Sequence, residues 1–179
     1  MERGVAFHEA GHAAACFALG AKFAYVTITP SEDTGGHLKH SGGRRFPWAK
    51  LRQLPYERLP AWIDRRLMIS IAGQVAQKKG APRSVRRWHA GGDRVAVDEF
   101  FSATNCAGEE EYFRYCVVRL ECMFSKPWIW SDVVALVDAL LERRKLTYSE
   151  CKEVASAARN SFLASTQEDM QQIGRGAGS

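Results

Sequence analysis

Apolar positions recur at helical spacing over most of this chain. The alanine-rich stretch from Val5 to Leu19 predicts a helix, with Gly20 placed to end it as a C-terminal cap. Lys22 to Thr29 (KFAYVTIT) is dense in β-branched and aromatic residues and stops at Pro30, which predicts a strand. After the turn-like SEDTGG, His37 to His40 is expected to return as a short second strand, and Ser41 to Pro55 reads as loop. Ile63, Leu67, Ile71 and Val75 recur at every fourth position and predict a long helix from Pro60 to Lys79, with Gly80 just past its end. Four further helices are expected over Asp93 to Ser102, Glu109 to Phe124, Asp132 to Arg144 and Tyr148 to Asn160. Their ends are marked electrostatically: Glu109, Glu110 and Glu111 suit a positive helix N-terminus, and Arg143 and Arg144 suit a negative C-terminus. Thr147 and Glu150 form a capping-box pattern for the last helix. The expected fold is therefore α+β and predominantly α-helical, with a small β-sheet near the N-terminus and a C-terminal helical bundle. Residues 1–173 form the expected single domain, and GRGAGS (residues 174–179) a flexible tail.

Composition agrees with a packed globule: 46% of the 179 residues are hydrophobic and 11% aromatic. The longest uncharged apolar run, Ala13 to Ala21, is too short to span a membrane, and no basic-then-apolar signal segment opens the chain. The five cysteines (Cys16, Cys106, Cys116, Cys122, Cys151) are odd in number and contain no CxxC, so they read as reduced, mostly buried thiols of a cytoplasmic protein. The net charge of +5 is unevenly spread. From Lys39 to Arg94 there are 14 Lys/Arg against 3 acids, and from Val95 to Ser179 there are 9 against 13. A basic middle facing an acidic C-terminal half is first of all a self-complementary pattern. The run Arg83, Arg86, Arg87, Trp88 has the arginine-aromatic character of a nucleic-acid contact, but no nucleic-acid-binding fold surrounds it, so a solvated loop is the reading. The tryptophans (Trp48, Trp62, Trp88, Trp128, Trp130) are expected chiefly in the core and cleft walls.

The first helix also carries HEAGH. Positions i and i+4 lie about 40° apart around a helix, so His8 and His12 project from one face and can share a metal ion. Glu9 points beside that face, where it can take a proton from a water acidified by zinc and pass it to a leaving amine. With five histidines in the chain, an accidental HExxH is expected in under about one such sequence in a hundred. Gly11 suggests that something packs closely between the histidines. A catalytic zinc site wants a third protein ligand. Ala15 and Ala18 exclude the metzincin pattern, while Glu57, Glu99, the Glu109 to Glu111 run and Asp93 are all formally available. Asp93 follows Gly91 and Gly92, and from spacing alone it reads equally as a helix N-cap. His37, His40 and His89 read as surface or supporting histidines.

Several blocks, in order, resemble the peptidase domain of FtsH-type ATP-dependent zinc proteases. VAFHEAGHAA is similar to the family's zinc helix, AYVTITP to the strand that follows, and SIAGQVAQ to a glycine-containing helix written closer to LGGRAAE. AGGDRVAVDEF is similar to the segment bearing the family's aspartate ligand, and VDALLERRKLTYSE to its C-terminal helix pair. The resemblance implies one Zn2+ per chain held by His8, His12 and Asp93, with Glu9 as catalytic base. It also implies that the strand after the zinc helix (Tyr25, Val26, Thr27, Ile28, Thr29), or the neighbouring His37, Leu38 and Lys39, pairs with an extended substrate peptide.

The departures narrow the reading. The chain has no GxxxxGK[ST] and no AAA+ module, and Gln74, Val75, Ala76, Gln77 and Lys78 stand where the family has RAAEE. The expected function is that of a zinc-dependent endopeptidase acting on unfolded protein or peptide segments without its own ATPase, with a separate ATPase as a possible partner and no membrane or nucleic-acid partner. One competing class is a binding or adapter protein on a catalytically silent or partner-dependent peptidase fold; a third is nucleic-acid binding through the basic middle, whose signature is affinity that falls steeply with salt.

Overall fold

The computed structural model describes residues 2–30, 35–40, 61–85, 91–104 and 108–176. In order these form α1 (Glu2–Ala18), β1 (Phe23–Thr27), β2 (His37–His40), α2 (Ala61–Gly80), a 3-10 turn (Pro82–Ser84), α3 (Gly91–Thr104), α4 (Glu109–Phe124), α5 (Pro127–Arg143), β3 (Lys145–Thr147) and α6 (Tyr148–Gly176). The architecture is mostly helical with a small three-stranded antiparallel sheet near the N-terminus, as expected from the pattern. The loop read over Ser41 to Pro55 lies outside the described residues.

The alanines make α1 thin, and it is buried on nearly every side, as a helix apolar all round should be. It packs against α2 on one side and α5 on another. Gly11 permits the first contact: a Cβ there would lie 2.8 Å from the Ala72 carbonyl oxygen and 2.5 Å from Ala76 Cβ. Gly80 closes the far end of α2 in the same way, its bare backbone lying against the Phe7 ring, so it belongs to the helix rather than terminating it. Phe7 in turn stacks on Trp130 of α5 at 5.8 Å between centroids. Gly20 is in the left-handed conformation (φ 69°), and the bonds Ala21 N to Cys16 O and Gly20 N to Phe17 O complete a Schellman cap. Buried side chains from all six helices, β1 and β3 join in one hydrophobic cluster.

The strand order is β2-β1-β3, both pairs antiparallel. Val26 pairs with Leu38 and Leu146, and this row faces the core. Tyr25 and Thr27, on the other face, stand in register with Lys39 and His37 of β2 and with Thr147 and Lys145 of β3.

Several boundaries depart from the sequence reading, three of them by a whole segment. β3 was not foreseen. Arg144 takes a left-handed conformation (φ 64°) that ends α5 and turns the chain directly into a three-residue strand beside β1. α5 begins at Pro127 instead of Asp132, because proline at the first helical position is already set to the helical φ. α6 continues from Asn160 to Gly176, over the first three residues read as tail. Of the tryptophans, Trp130 packs inward but Trp128 is 42% exposed; Trp48 and Trp88 lie outside the described residues. The four described cysteines are all free, with Cys16, Cys116 and Cys151 buried and Cys122 exposed. No helix among the described residues is long and apolar enough to cross a membrane.

Candidate metal centre

His8, Glu9 and His12 are buried on the face of α1 that meets α2 and α3. The imidazole rings stand edge to face, with centroids 4.8 Å apart. Each ring is anchored through Nδ1: His12 donates to the Ile69 carbonyl oxygen (2.6 Å), and His8 faces Gln77 Oε1 (3.2 Å). Both Nε2 atoms then point the same way. Opposite them is Asp93, in the first turn of α3, whose Oδ2 lies 2.8 Å from His8 Nε2 and 3.3 Å from His12 Nε2. α3 starts two residues earlier than expected, at Gly91, so Asp93 sits inside the helix and does not cap it. The three candidate ligand atoms all lie within 4.8 Å of one another.

The space they enclose depends on α2. A Cβ on Gly73 would fall onto His12 Nε2 and within 2.7 Å of His8 Nε2, so only glycine lets the helix pass behind both rings. Glu9 is enclosed from the other side: a Cβ on Gly36, the residue before β2, would lie 3.1 Å from Glu9 Cγ and 2.7 Å from Thr27 O.

Charge in the site is tightly coupled. Burial alone would lower the His12 pKa, but the Asp93 carboxylate, its hydrogen bond, Glu9 and the Ile69 carbonyl outweigh burial and raise it to about 9. Burial would raise the Asp93 pKa, yet the two imidazoles outweigh it and hold the carboxyl well below the usual range. For Glu9, burial dominates and raises the pKa although His12 and His8 pull it down. Glu9 Oε2 is buried with no hydrogen-bond partner among the described residues. With protons on the ring nitrogens this cluster is an ion pair; with those protons gone it is a donor set of two nitrogens and one oxygen. That set, beside a buried carboxylate oxygen left without a partner, fits a divalent cation such as zinc.

The remaining candidates are elsewhere. Tyr25, Val26 and Thr27 lie in the central strand, paired on both sides, so a peptide could add there only by displacing β2 or β3. Ile28 donates its backbone N–H to Arg144 O, and Thr29 follows the strand end. His37, Leu38 and Lys39 form β2, whose outer side has no strand partner among the described residues. His37 is not part of the metal cluster; its Nε2 lies 3.1 Å from the Tyr25 hydroxyl. His89 and Glu57 lie outside the described residues.

Gln77 is the site residue that the sequence reading missed as a partner of His8. It stands where the family writes an acid, and it is only 2% exposed. The available signal was its spacing, four residues after Gly73 and one after Ala76 on the side of α2 that meets α1. The chain matches no protein-family model and no curated protein sequence.

Proposed function

We propose that this chain is a zinc-dependent endopeptidase that cleaves unfolded or flexible protein segments without ATP. His8, His12 and Asp93 would hold one zinc ion per chain. The observation that carries the reading is the convergence of two Nε2 atoms and Asp93 Oδ2 within 4.8 Å, beside a buried Glu9 Oε2 that has no hydrogen-bond partner among the described residues. Three protein ligands are the count of a catalytic zinc site; a structural one closes with four. Zinc held there supplies Lewis acidity, enough to bring the pKa of a water near neutrality.

Glu9 is the general base of this reading. Its neighbours on α1 are the two ligands, so the helix itself fixes its distance from the reacting centre. Burial leaves it ready both to accept a proton and to release it, as transfer to a leaving amine requires. Asp93, kept ionised, balances the cation and orients both rings. An extended peptide docks by strand addition along the outer side of β2, where backbone groups of His37, Leu38 and Lys39 supply affinity. Gly36 leads that strand past Glu9. The likeness of HEAGHA and AGGD to FtsH-type peptidase segments supports the same roles. A small static site cleaves a segment that is already extended, so a separate ATPase is the partner that would widen the range to folded proteins.

The test is degradation of casein by the zinc-loaded chain without ATP, with Glu9→Gln in parallel. Cleavage is expected, and the variant should lose about 10²- to 10⁴-fold in rate with its zinc retained. A chain that holds zinc but leaves casein intact would overturn autonomous catalysis and favour the binding or adapter class.

A further inference from the structure

We infer that Gln77 is a positioning residue for His8, and that the 3-10 turn Pro82–Ser84 sets its orientation. The inference rests on the metal-site reading above for its purpose, but its geometry stands apart from it. Ser84 Oγ donates to the Ala81 carbonyl oxygen (2.6 Å), so toward Gln77 the hydroxyl is an acceptor. Gln77 Nε2 lies 3.1 Å from that Oγ and 3.3 Å from Ser84 O, which as a carbonyl oxygen can only accept. Both contacts require the amide nitrogen to face the turn. Gln77 Oε1 is thereby turned to His8 Nδ1, 3.2 Å away. An amide oxygen cannot donate, so Nδ1 must carry a proton, and Nε2, which faces Asp93 Oδ2 at 2.8 Å, is the nitrogen that would give up its proton to bind a metal.

The chain makes room for this relay with a glycine. A Cβ on Gly4, one helical turn before His8, would collide with Ser84 Oγ and come within 3.3 Å of Gln77 Nε2. Gly4 therefore lets the turn close over α1 and hold the amide. Gln77 is uncharged, unlike the carboxylates that often support metal-bound histidines. It fixes the tautomer and ring angle of His8 without adding negative charge to a site that already holds Asp93 and Glu9.

Zinc affinity by chelator competition tests the role, together with 15N NMR of the His8 ring in the metal-free chain, using Gln77→Leu, Gln77→Glu and Ser84→Ala. Gln77→Leu should weaken zinc binding about 10- to 100-fold and remove the Nδ1–H preference of His8; Gln77→Glu, whose carboxylate still accepts from Nδ1 but cannot donate to the Ser84 carbonyl oxygen, should recover the Nδ1–H preference without the full affinity. Ser84→Ala should shift both readouts in the same direction but less, since the Ser84 carbonyl oxygen remains; it decides the matter if Gln77→Leu fails to fold. A purely structural Gln77 would lower Tm and leave tautomer and affinity unchanged, which overturns the inference. Should the parent chain bind no zinc, the metal reading fails and the NMR alone decides: a Gln77-dependent tautomer upholds the positioning role, and an unchanged one refutes it.

Discussion

Gly73 behind the two imidazoles shows how much of this site depends on what a residue lacks. Gly73→Ala places a methyl group 2.4 Å from His12 Nε2 and 2.7 Å from His8 Nε2, so the rings must turn away or α2 must retreat from α1. Zinc affinity should fall by at least about tenfold, since even partners that merely orient metal ligands carry that much, while overpacking costs about 1–3 kcal/mol of stability. Isothermal titration and thermal unfolding of the same variant separate the two effects. At this scale His8, Glu9 and His12 were legible because HExxH is a statement about one helix face. Asp93 was one acid among several until the resemblance singled it out, since nothing local says which loop returns to α1. Gln77 was hidden because a buried glutamine in a helix has the same one-dimensional pattern as a solvated one; only its partners, His8 and Ser84, distinguish it.

Helices were the legible elements, because their apolar stripes repeat for three turns or more. β3 was not, since Lys145–Thr147 contains too few residues to express an alternating period between two strongly helical segments. Its signal was the cap. Thr147 ends the strand and begins α6: its backbone N–H donates to Glu150 Oε2 (2.8 Å), and Glu150 N donates to Thr147 Oγ1 (3.4 Å). The capping box therefore fixes both the helix start and the register of β3 against Tyr25. Thr147→Ala should lower Tm by about 2–4 °C and raise hydrogen exchange at Val26 and Ile28, whose N–H groups face β3, without changing zinc affinity.

For the whole molecule, the coupled charges predict an asymmetric pH profile in the absence of metal. The raised His12 pKa contributes stability that is complete below the unfolded value near 6.5 and is lost as pH rises through about 9. The lowered Asp93 pKa contributes stability present above its unfolded value near 3.8 and lost as pH falls through the lower folded value. The groups facing this pair, Glu9 and His8, lie on α1; the raised pKa of Glu9 penalises the fold once pH exceeds its unfolded value of 4.5. Chelator-treated protein should thus be most stable in mild acid, and its Tm should decline from about pH 6.5 to 9. Zinc reverses the alkaline limb, since ligation requires the imidazoles without their Nε2 protons and affinity grows as they leave. Thermal scans from pH 4 to 9, with and without zinc, check both limbs.

The contact between α1 and Asp93 also has a topological consequence. His12 and Asp93 are the two ends of a loop of roughly eighty residues that includes β1, β2 and α2, and a cation shared between them would act as a removable tie across it. Such a tie exists only while the site is folded, so an ion held there would stabilise the native chain by binding it alone. A metal held there would therefore set how readily α3 swings away from the core, and its removal would shorten the time the chain survives a protease.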